Sequence, residues 1–200
     1  MHMKKFSFLL PLCVLIACHT AKLPRKNAIA PVSVPGKMYA AFFQQQAAEY
    51  RALCYQAFNM ARYKVDEAKR GAKPLAIVTD VDETILDNSP YAVHQTLRGT
   101  DHTQPEWEAW TAMAKCDTLP GSYSFLKYAA SKGIEIFYLT NRTEAEKEGT
   151  LKNLRLFNFP NADEKHLLLK KVTSKEARRN EVAKTHEILL LMGDNLSEAV

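Results

Sequence analysis

The chain has 200 residues, of which 46% are hydrophobic and 24% charged, and its formal net charge is +5. This length fits one domain with at most a small appendage, and the composition is that of a globular protein with a packed core. The positive charge is mild and is not gathered into a basic tract. The sequence therefore predicts no nucleic-acid partner.

The first 17 residues have the pattern of a secretory signal peptide. Lys4 and Lys5 precede an apolar run over residues 6–17, and this run is short for a membrane span. It ends in Leu-Ile-Ala before Cys18, which resembles the cleavage box of bacterial lipoproteins. We expect cleavage before Cys18 and lipidation of its thiol, which anchors the protein in the bacterial cell envelope, in the outer membrane and facing the periplasm or the surface. The alternative is cleavage elsewhere, with Cys18 incidental.

Residues 18–38 separate this predicted anchor from the rest of the chain. The segment is polar, contains three prolines and lacks periodicity, so we predict a flexible tether. Cys54 and Cys116 would be the cysteines left without an assignment, and in an oxidising compartment they either pair or stay as two buried thiols. Their spacing alone does not decide between these alternatives.

The remaining sequence alternates between helical and strand patterns. Residues 39–70 carry apolar side chains at steps of three and four, which predicts one long helix or two. Short apolar runs, typical of strands covered on both faces, follow at 75–79, 134–139, 166–169 and 188–192. Helical patterns lie between them at 122–131, 143–157 and 175–185. This alternation predicts an α/β fold with a parallel sheet and right-handed crossovers. Residues 88–119 fall outside the rhythm and indicate an insertion or cap.

Polar residues follow each predicted strand. Asp80 and Asp82 follow the first, Thr140 and Asn141 the second, and Asp194 the fourth, while Lys175 opens the helical pattern after the third. Ligands of parallel sheets bind at the carboxyl ends of the strands, so these groups should meet at one edge. Phosphoryl transfer needs such a set: a carboxylate nucleophile, a second carboxyl for proton transfer, and positive charge for the phosphate. A divalent cation would relieve the repulsion between the acids.

In order, these residues match the four motifs of the haloacid dehalogenase (HAD) superfamily. The runs at 77–91 and 193–196, with 49–53 in the first helix, resemble the class C acid phosphatases of the outer-membrane lipoprotein e type. The resemblance implies a Rossmann-like α/β core with a parallel sheet and a small helical cap. It places the cap at 39–71 and 88–119 and the core at 74–87 and 120–200, within a phosphatase domain of 39–200. Relatives also carry a C-terminal part that would lie beyond Val200, and Glu198 stands where they usually carry aspartate.

The resemblance also implies a role for each motif residue. Asp80 would be the nucleophile and Asp82 the general acid and base. Thr140, Asn141 and Lys175 would hold the phosphate. One Mg²⁺ would bind the Asp80 and Asp194 carboxylates and the Asp82 carbonyl. The implied reaction is hydrolysis of phosphomonoesters, chiefly nucleoside 5′-monophosphates, at acidic pH; the alternative is an impaired lipoprotein of this fold that binds a ligand such as haem.

Three aromatic residues in 88–119 are candidates for stacking on a nucleobase: Tyr91, Trp107 and Trp110. Trp107 and Trp110 are three residues apart, which suits one helix face but suits ordinary packing equally. Each motif residue has an ordinary alternative as well. An aspartate or threonine after a strand often caps a helix or makes a turn, and Lys175 has solvent-exposed lysine neighbours as its competing interpretation.

Overall fold

The computed structural model describes residues 33–196, with side chains from residue 36 onward, and the statements below concern this part of the chain. The predicted signal peptide, Cys18, the first part of the tether and Glu198 lie outside it. Its helices and strands are, in chain order, α1 (Ser33–Gln46), α2 (Ala48–Glu67), β1 (Leu75–Thr79), β2 (Leu86–Asp87), α3 (Ser89–Leu97), α4 (Gln104–Met113), β3 (Asp117–Thr118), α5 (Ser122–Ser131), β4 (Glu135–Leu139), α6 (Lys147–Leu156), β5 (Leu167–Leu168), α7 (Lys175–Thr185) and β6 (Glu187–Met192).

The predicted parallel sheet is confirmed. Its four strands lie in the order β5–β4–β1–β6, and each neighbouring pair is parallel. All five residues of β1 are buried, which explains why that strand is a continuous apolar run rather than an alternating one. A separate antiparallel pair, β2 with β3, lies outside this sheet. The chain therefore has the predicted α/β architecture.

The long helical pattern forms two helices, α1 and α2. Phe58, Ala61 and Val65 of α2 join the main core cluster, and Phe58 lies against Phe125 of α5 with ring centroids 5.8 Å apart. The first helix instead faces α3, where Gln45 Nε2 donates to Ser89 Oγ at 3.1 Å. Because α1 begins at Ser33, residues 33–38 are helical, which corrects the prediction that they belong to the flexible tether. The division of the chain into a cap (39–71 and 88–119) and a core (74–87 and 120–200) stays a prediction.

Strand β6 forms one edge of the sheet. It pairs with β1 on one side, and its residues are mostly half-buried, with Leu191 39% exposed. An apolar edge strand offers unpaired backbone groups to other segments. Among residues 33–196, no helix is both long and apolar enough to cross a bilayer.

Helix α4 packs closely on α6 through Gly149. A Cβ at this glycine would lie 2.4 Å from the carbonyl oxygen of Thr111 and 2.9 Å from Cα of Ala112. Only a residue without a side chain allows the two backbones to approach this far. The contact fixes α4 relative to the core at the edge of the sheet where the predicted site residues lie.

A cluster of acidic and basic side chains lies at the amino ends of the strands, opposite the predicted site. The Glu135 carboxylate is 2.7 Å from Lys165 Nζ and 2.6 Å from Nε2 of both His166 and His186. The histidines are buried, and both rings pack against Phe137. Hydrogen bonds from Lys165, His166 and His186 lower the pKa of Glu135 to about 2.

Replacing Glu135 with glutamine should therefore destabilise the fold in a pH-dependent way. A carboxylate whose pKa is lowered by folding stabilises the protein above its unfolded value of 4.5, and this stabilisation is lost as the pH falls towards 2. We expect Glu135→Gln to lower the free energy of unfolding by about 1–3 kcal/mol near neutral pH. Urea unfolding across the acid range should show the difference from the wild type shrinking below pH 4.5. Glu181→Gln, which alters an exposed pair with Lys184, should have little effect; a pH-independent loss in Glu135→Gln would contradict the expectation.

Candidate active site

The carboxyl ends of β1 and β6 lie side by side. Thr79 pairs with Met192, and the next residue, Asp80, donates its backbone N–H to the Met192 carbonyl at 2.8 Å. Asp194 follows two residues after the end of β6, and it borders the same groove as Glu83 and Thr84. The expected convergence of the β1 and β6 loops is thus present.

Asp80 forms a close ion pair with Lys175. The Lys175 ammonium lies 2.7 Å from Asp80 Oδ1, and the two side chains are only 11% and 8% exposed. Lys175 is the first residue of α7, where the side chain of Ser174 accepts the Ala177 N–H and caps the helix. Lys170 and Lys171 are exposed. Among these three neighbouring lysines, Lys175 is the one placed at the nucleophile candidate.

Asp82 is held by an arginine that the sequence analysis did not assign. Arg142 donates from Nη2 to Asp82 Oδ1 at 2.7 Å and from Nε to both carboxylate oxygens at 3.1 and 3.2 Å. The Arg142 side chain is fully buried, whereas that of Asp82 is 18% exposed. Charge-assisted contacts at two points fix orientation as well as position. Arg142 immediately follows Thr140 and Asn141, so its place after β4 was the available signal.

Thr140 and Asn141 have different surroundings. Thr140 is fully buried; its Oγ1 donates to Asp82 Oδ2 at 3.3 Å and accepts the Arg142 N–H at 3.0 Å. Asn141 is exposed at the turn. Thr140 is therefore hydrogen-bonded to Asp82, while Asn141 lies at the surface of the same loop.

Asn88 is a second residue of the site that the sequence did not reveal. It is buried, its Nδ2 donates to Asp82 Oδ1 at 2.9 Å, and its backbone N–H donates to Glu83 Oε1 at 3.2 Å. An Asp-Asn pair before a helix is commonly a turn. Its side chain instead reaches back to the site.

The carboxyl group of Glu83 is buried close to the negative charges of Asp82 and Asp194. Its pKa is raised to about 7, chiefly by burial and also by the charges of Asp82 and Asp194, while hydrogen bonds from Asn88 lower it in part. Its backbone is left-handed, with φ of 54°, a conformation that costs side-chain-bearing residues about 1–2 kcal/mol. Negative charge is therefore concentrated at this edge of the sheet.

The tryptophans of α4 reach the groups around Asp82. Trp110 Nε1 donates to Asn88 Oδ1 at 2.8 Å, and the Arg142 guanidinium carbon lies 5.8 Å from the centre of the Trp107 ring. Tyr91 is buried and packs on both, with centroids 5.1 and 6.2 Å away. The three predicted stacking residues thus lie beside the site, where they pack on one another.

An apolar groove of about 700 Å³ runs between α2 and β6 and ends at the site. Its walls include Leu53, Cys54, Phe58, Leu190 and Met192. Cys54 and Cys116 are both buried free thiols. The predicted alternatives for the two cysteines are therefore resolved in favour of unpaired thiols in this structure.

The chain is similar to known acid phosphatases. The profile of the HAD superfamily, subfamily IIIB (acid phosphatase), matches residues 13–199. Two solved structures of the class C acid phosphatase from Bacillus anthracis, one with tungstate bound, are each 40% identical to this chain. In both, the match has a TM-score of 0.79 and covers 82% of this chain and 71% of that chain.

Proposed function

Because the chain belongs to the subfamily IIIB acid phosphatases of the HAD superfamily, a family of phosphomonoesterases, we propose that it hydrolyses phosphate esters through a phosphorylated Asp80. The observation that carries the proposal is the buried ion pair of Asp80 with Lys175, next to an Asp82 held by Arg142. The Asp80 carboxylate lies beside the Lys175 ammonium, which can also bind a phosphate, and the Asp82 carboxyl group is oriented by Arg142 for proton transfer.

In the first step, an oxygen of Asp80 attacks phosphorus and the bond from phosphorus to the alcohol oxygen breaks. Asp82 gives a proton to the departing alcohol, and the product on the enzyme is an aspartyl phosphate. In the second step, water attacks that phosphorus, its proton passes to the Asp82 carboxylate, and phosphate leaves with Asp80 regenerated. Lys175 offsets the charge between nucleophile and phosphate throughout. Thr140 and the loop of Asn141 complete the proposed phosphate site.

The residues at this edge fit a magnesium ion. Asp80 and Asp194 offer hard carboxylate oxygens just beyond the ends of β1 and β6. No group of three or more His, Cys, Asp or Glu side chains within residues 33–196 is arranged to hold a metal. The proposed set, two carboxylates and the Asp82 carbonyl, leaves positions for water and phosphate oxygens, as Mg²⁺ prefers. When bound, the ion would supply positive charge for the phosphate.

Phosphate release from an ester, before and after removal of divalent cations, tests the proposal. We expect the full chain to release phosphate from a nucleoside 5′-monophosphate and from p-nitrophenyl phosphate, to lose this activity in a chelator, and to regain it with Mg²⁺. A folded protein without phosphatase activity at any magnesium concentration would contradict the proposal. That outcome would favour the alternative of a ligand-binding lipoprotein.

The preference for nucleotides and the location of the protein belong to the same proposal. The aromatic residues of α3 and α4 lie beside the site and support a substrate with an aromatic base, although their mutual packing is also explained without one. Comparing kcat/KM for a nucleoside 5′-monophosphate with that for glycerol phosphate tests the preference. The lysines at the N-terminus, the apolar run and Cys18 support a lipid-anchored enzyme of the cell envelope; mass analysis of the mature N-terminus would test this.

A further inference from the structure

We propose that Arg142 and Asn88 are positioning residues for Asp82, and that the two tryptophans of α4 anchor them. The inference rests on the proposed function of Asp82 in proton transfer. It assigns a role to four residues outside the motif positions Asp80, Asp82, Thr140, Lys175 and Asp194.

The two oxygens of Asp82 are held unequally. Oδ1 accepts from Arg142 Nη2 at 2.7 Å, Asn88 Nδ2 at 2.9 Å and Arg142 Nε at 3.1 Å. Oδ2 has only two longer contacts, with Arg142 Nε at 3.2 Å and Thr140 Oγ1 at 3.3 Å. Three donors occupy Oδ1, so Oδ2 is the oxygen placed to carry and transfer a proton. Arg142 and Asn88 thereby determine how the carboxyl group is turned.

The amide of Asn88 is itself fixed from the cap. Its Oδ1 accepts from Trp110 Nε1 at 2.8 Å and lies 3.0 Å from Cys116 Sγ. With donors on its oxygen, the amide nitrogen must point the other way, towards Asp82. The indole of Trp110 therefore sets the direction in which Asn88 donates.

Arg142 has a matching contact with the other tryptophan. Its guanidinium lies 5.8 Å from the Trp107 ring centre, within the range of a cation–π interaction, and its Nη1 donates to Thr150 Oγ1 of α6 at 3.0 Å. Residues three apart share a helix face. Trp107 and Trp110 therefore contact Arg142 and Asn88 from the same face of α4. The close contact at Gly149 keeps this surface at a fixed distance from α6.

A comparison of leaving groups distinguishes positioning from a general structural role. A nucleoside or alkyl alcohol must be protonated as it leaves, whereas p-nitrophenolate leaves readily as an anion. The value of kcat/KM reports the steps up to departure of the alcohol. A misplaced Asp82 should therefore lower kcat/KM for glycerol phosphate, an alkyl ester without a base, far more than for p-nitrophenyl phosphate.

For Arg142→Gln we expect kcat/KM with glycerol phosphate to fall about 10- to 100-fold, part of the usual contribution of general acid catalysis, and with p-nitrophenyl phosphate by less than about threefold. Arg142→Lys should be less impaired than Arg142→Gln but still below the wild type, because a lysine ammonium cannot form the two-point contact with both Asp82 oxygens. Trp110→Phe, which keeps an aromatic ring but removes the indole N–H donor, should give the same selective loss at about three- to tenfold. Arg51→Gln, at an exposed arginine of α2, is the matched control.

The possible results separate failure of the proposed phosphatase function from failure of the positioning inference. If the wild type releases phosphate from neither ester, the proposed function fails. If the wild type is active and Asp82→Asn shows the selective loss, but folded Trp110→Phe and Arg142→Lys lower both substrates equally or not at all, the positioning inference alone is overturned. Should Arg142→Gln fail to fold, Trp110→Phe carries the test, since its side chain is only half-buried.

Discussion

Asp80→Asn is expected to abolish turnover while the protein stays folded. Asparagine has nearly the same shape, so its amide oxygen can still accept from Lys175, which lies 2.7 Å from Asp80 Oδ1. The amide cannot form a stable acyl phosphate, however, and loss of a nucleophile costs about 10⁴-fold or more in kcat. Steady-state phosphate release by purified protein, with thermal unfolding followed in parallel, measures both expectations.

The control for this variant is an exposed aspartate outside the site. Asp117 is exposed on β3, and Asp117→Asn should leave kcat unchanged. If Asp80→Asn were folded and retained turnover comparable with that of the control, Asp80 would not be the nucleophile. A loss of activity accompanied by unfolding would be separated from this by the melting curve.

Lys175→Met should give the second-largest loss of activity among the single variants. The ammonium is 11% exposed and touches a carboxylate that is 8% exposed, so solvent cannot easily replace its charge. Removing one preorganised electrostatic partner of a transition state typically costs about 10²- to 10³-fold, and we expect kcat/KM to fall by this factor. Inhibition by inorganic phosphate should weaken in the same variant.

Lys170 and Lys171 provide matched controls in the same loop. Both are exposed, and we expect Lys170→Met and Lys171→Met to change kcat/KM by less than about twofold, because solvent screens exposed charges. An equal loss in all three variants would indicate a diffuse attraction for anions rather than a specific contact of Lys175 with the nucleophile and phosphate.

The sheet and the motif residues were predictable because local pattern and topology agree. The run that forms β1 is apolar up to Thr79, and the run that forms β4 is apolar after Glu135, as strands buried on both faces of a parallel sheet require. Once the strands are parallel, their carboxyl ends must share one edge, so Asp80 and Asp82 were expected near Thr140. The structure adds that, of the three lysines 170, 171 and 175, it is Lys175 that contacts Asp80 at this edge.

The residues that orient Asp82 were not predictable in the same way. Arg142 and Asn88 are common residue types in loops, and nothing in their spacing shows that both side chains fold back onto one carboxylate. Their positions depend on α4, which lies outside the strand–helix rhythm and is fixed by the contact at Gly149. The start of α1 was not predicted for a different reason, since Pro35 and Gly36 are residues that indicate a loop.

A covalent intermediate on Asp80 is the most direct test of the account. The magnesium-loaded wild type would be mixed with a labelled phosphate ester, quenched in acid within a single turnover, digested and analysed by mass spectrometry. We expect a hydroxylamine-sensitive phosphoryl group on the peptide that contains Asp80, and none in Asp80→Asn. Active wild-type enzyme with the phosphoryl group on another residue, or with label remaining bound to Asp80→Asn, would contradict it.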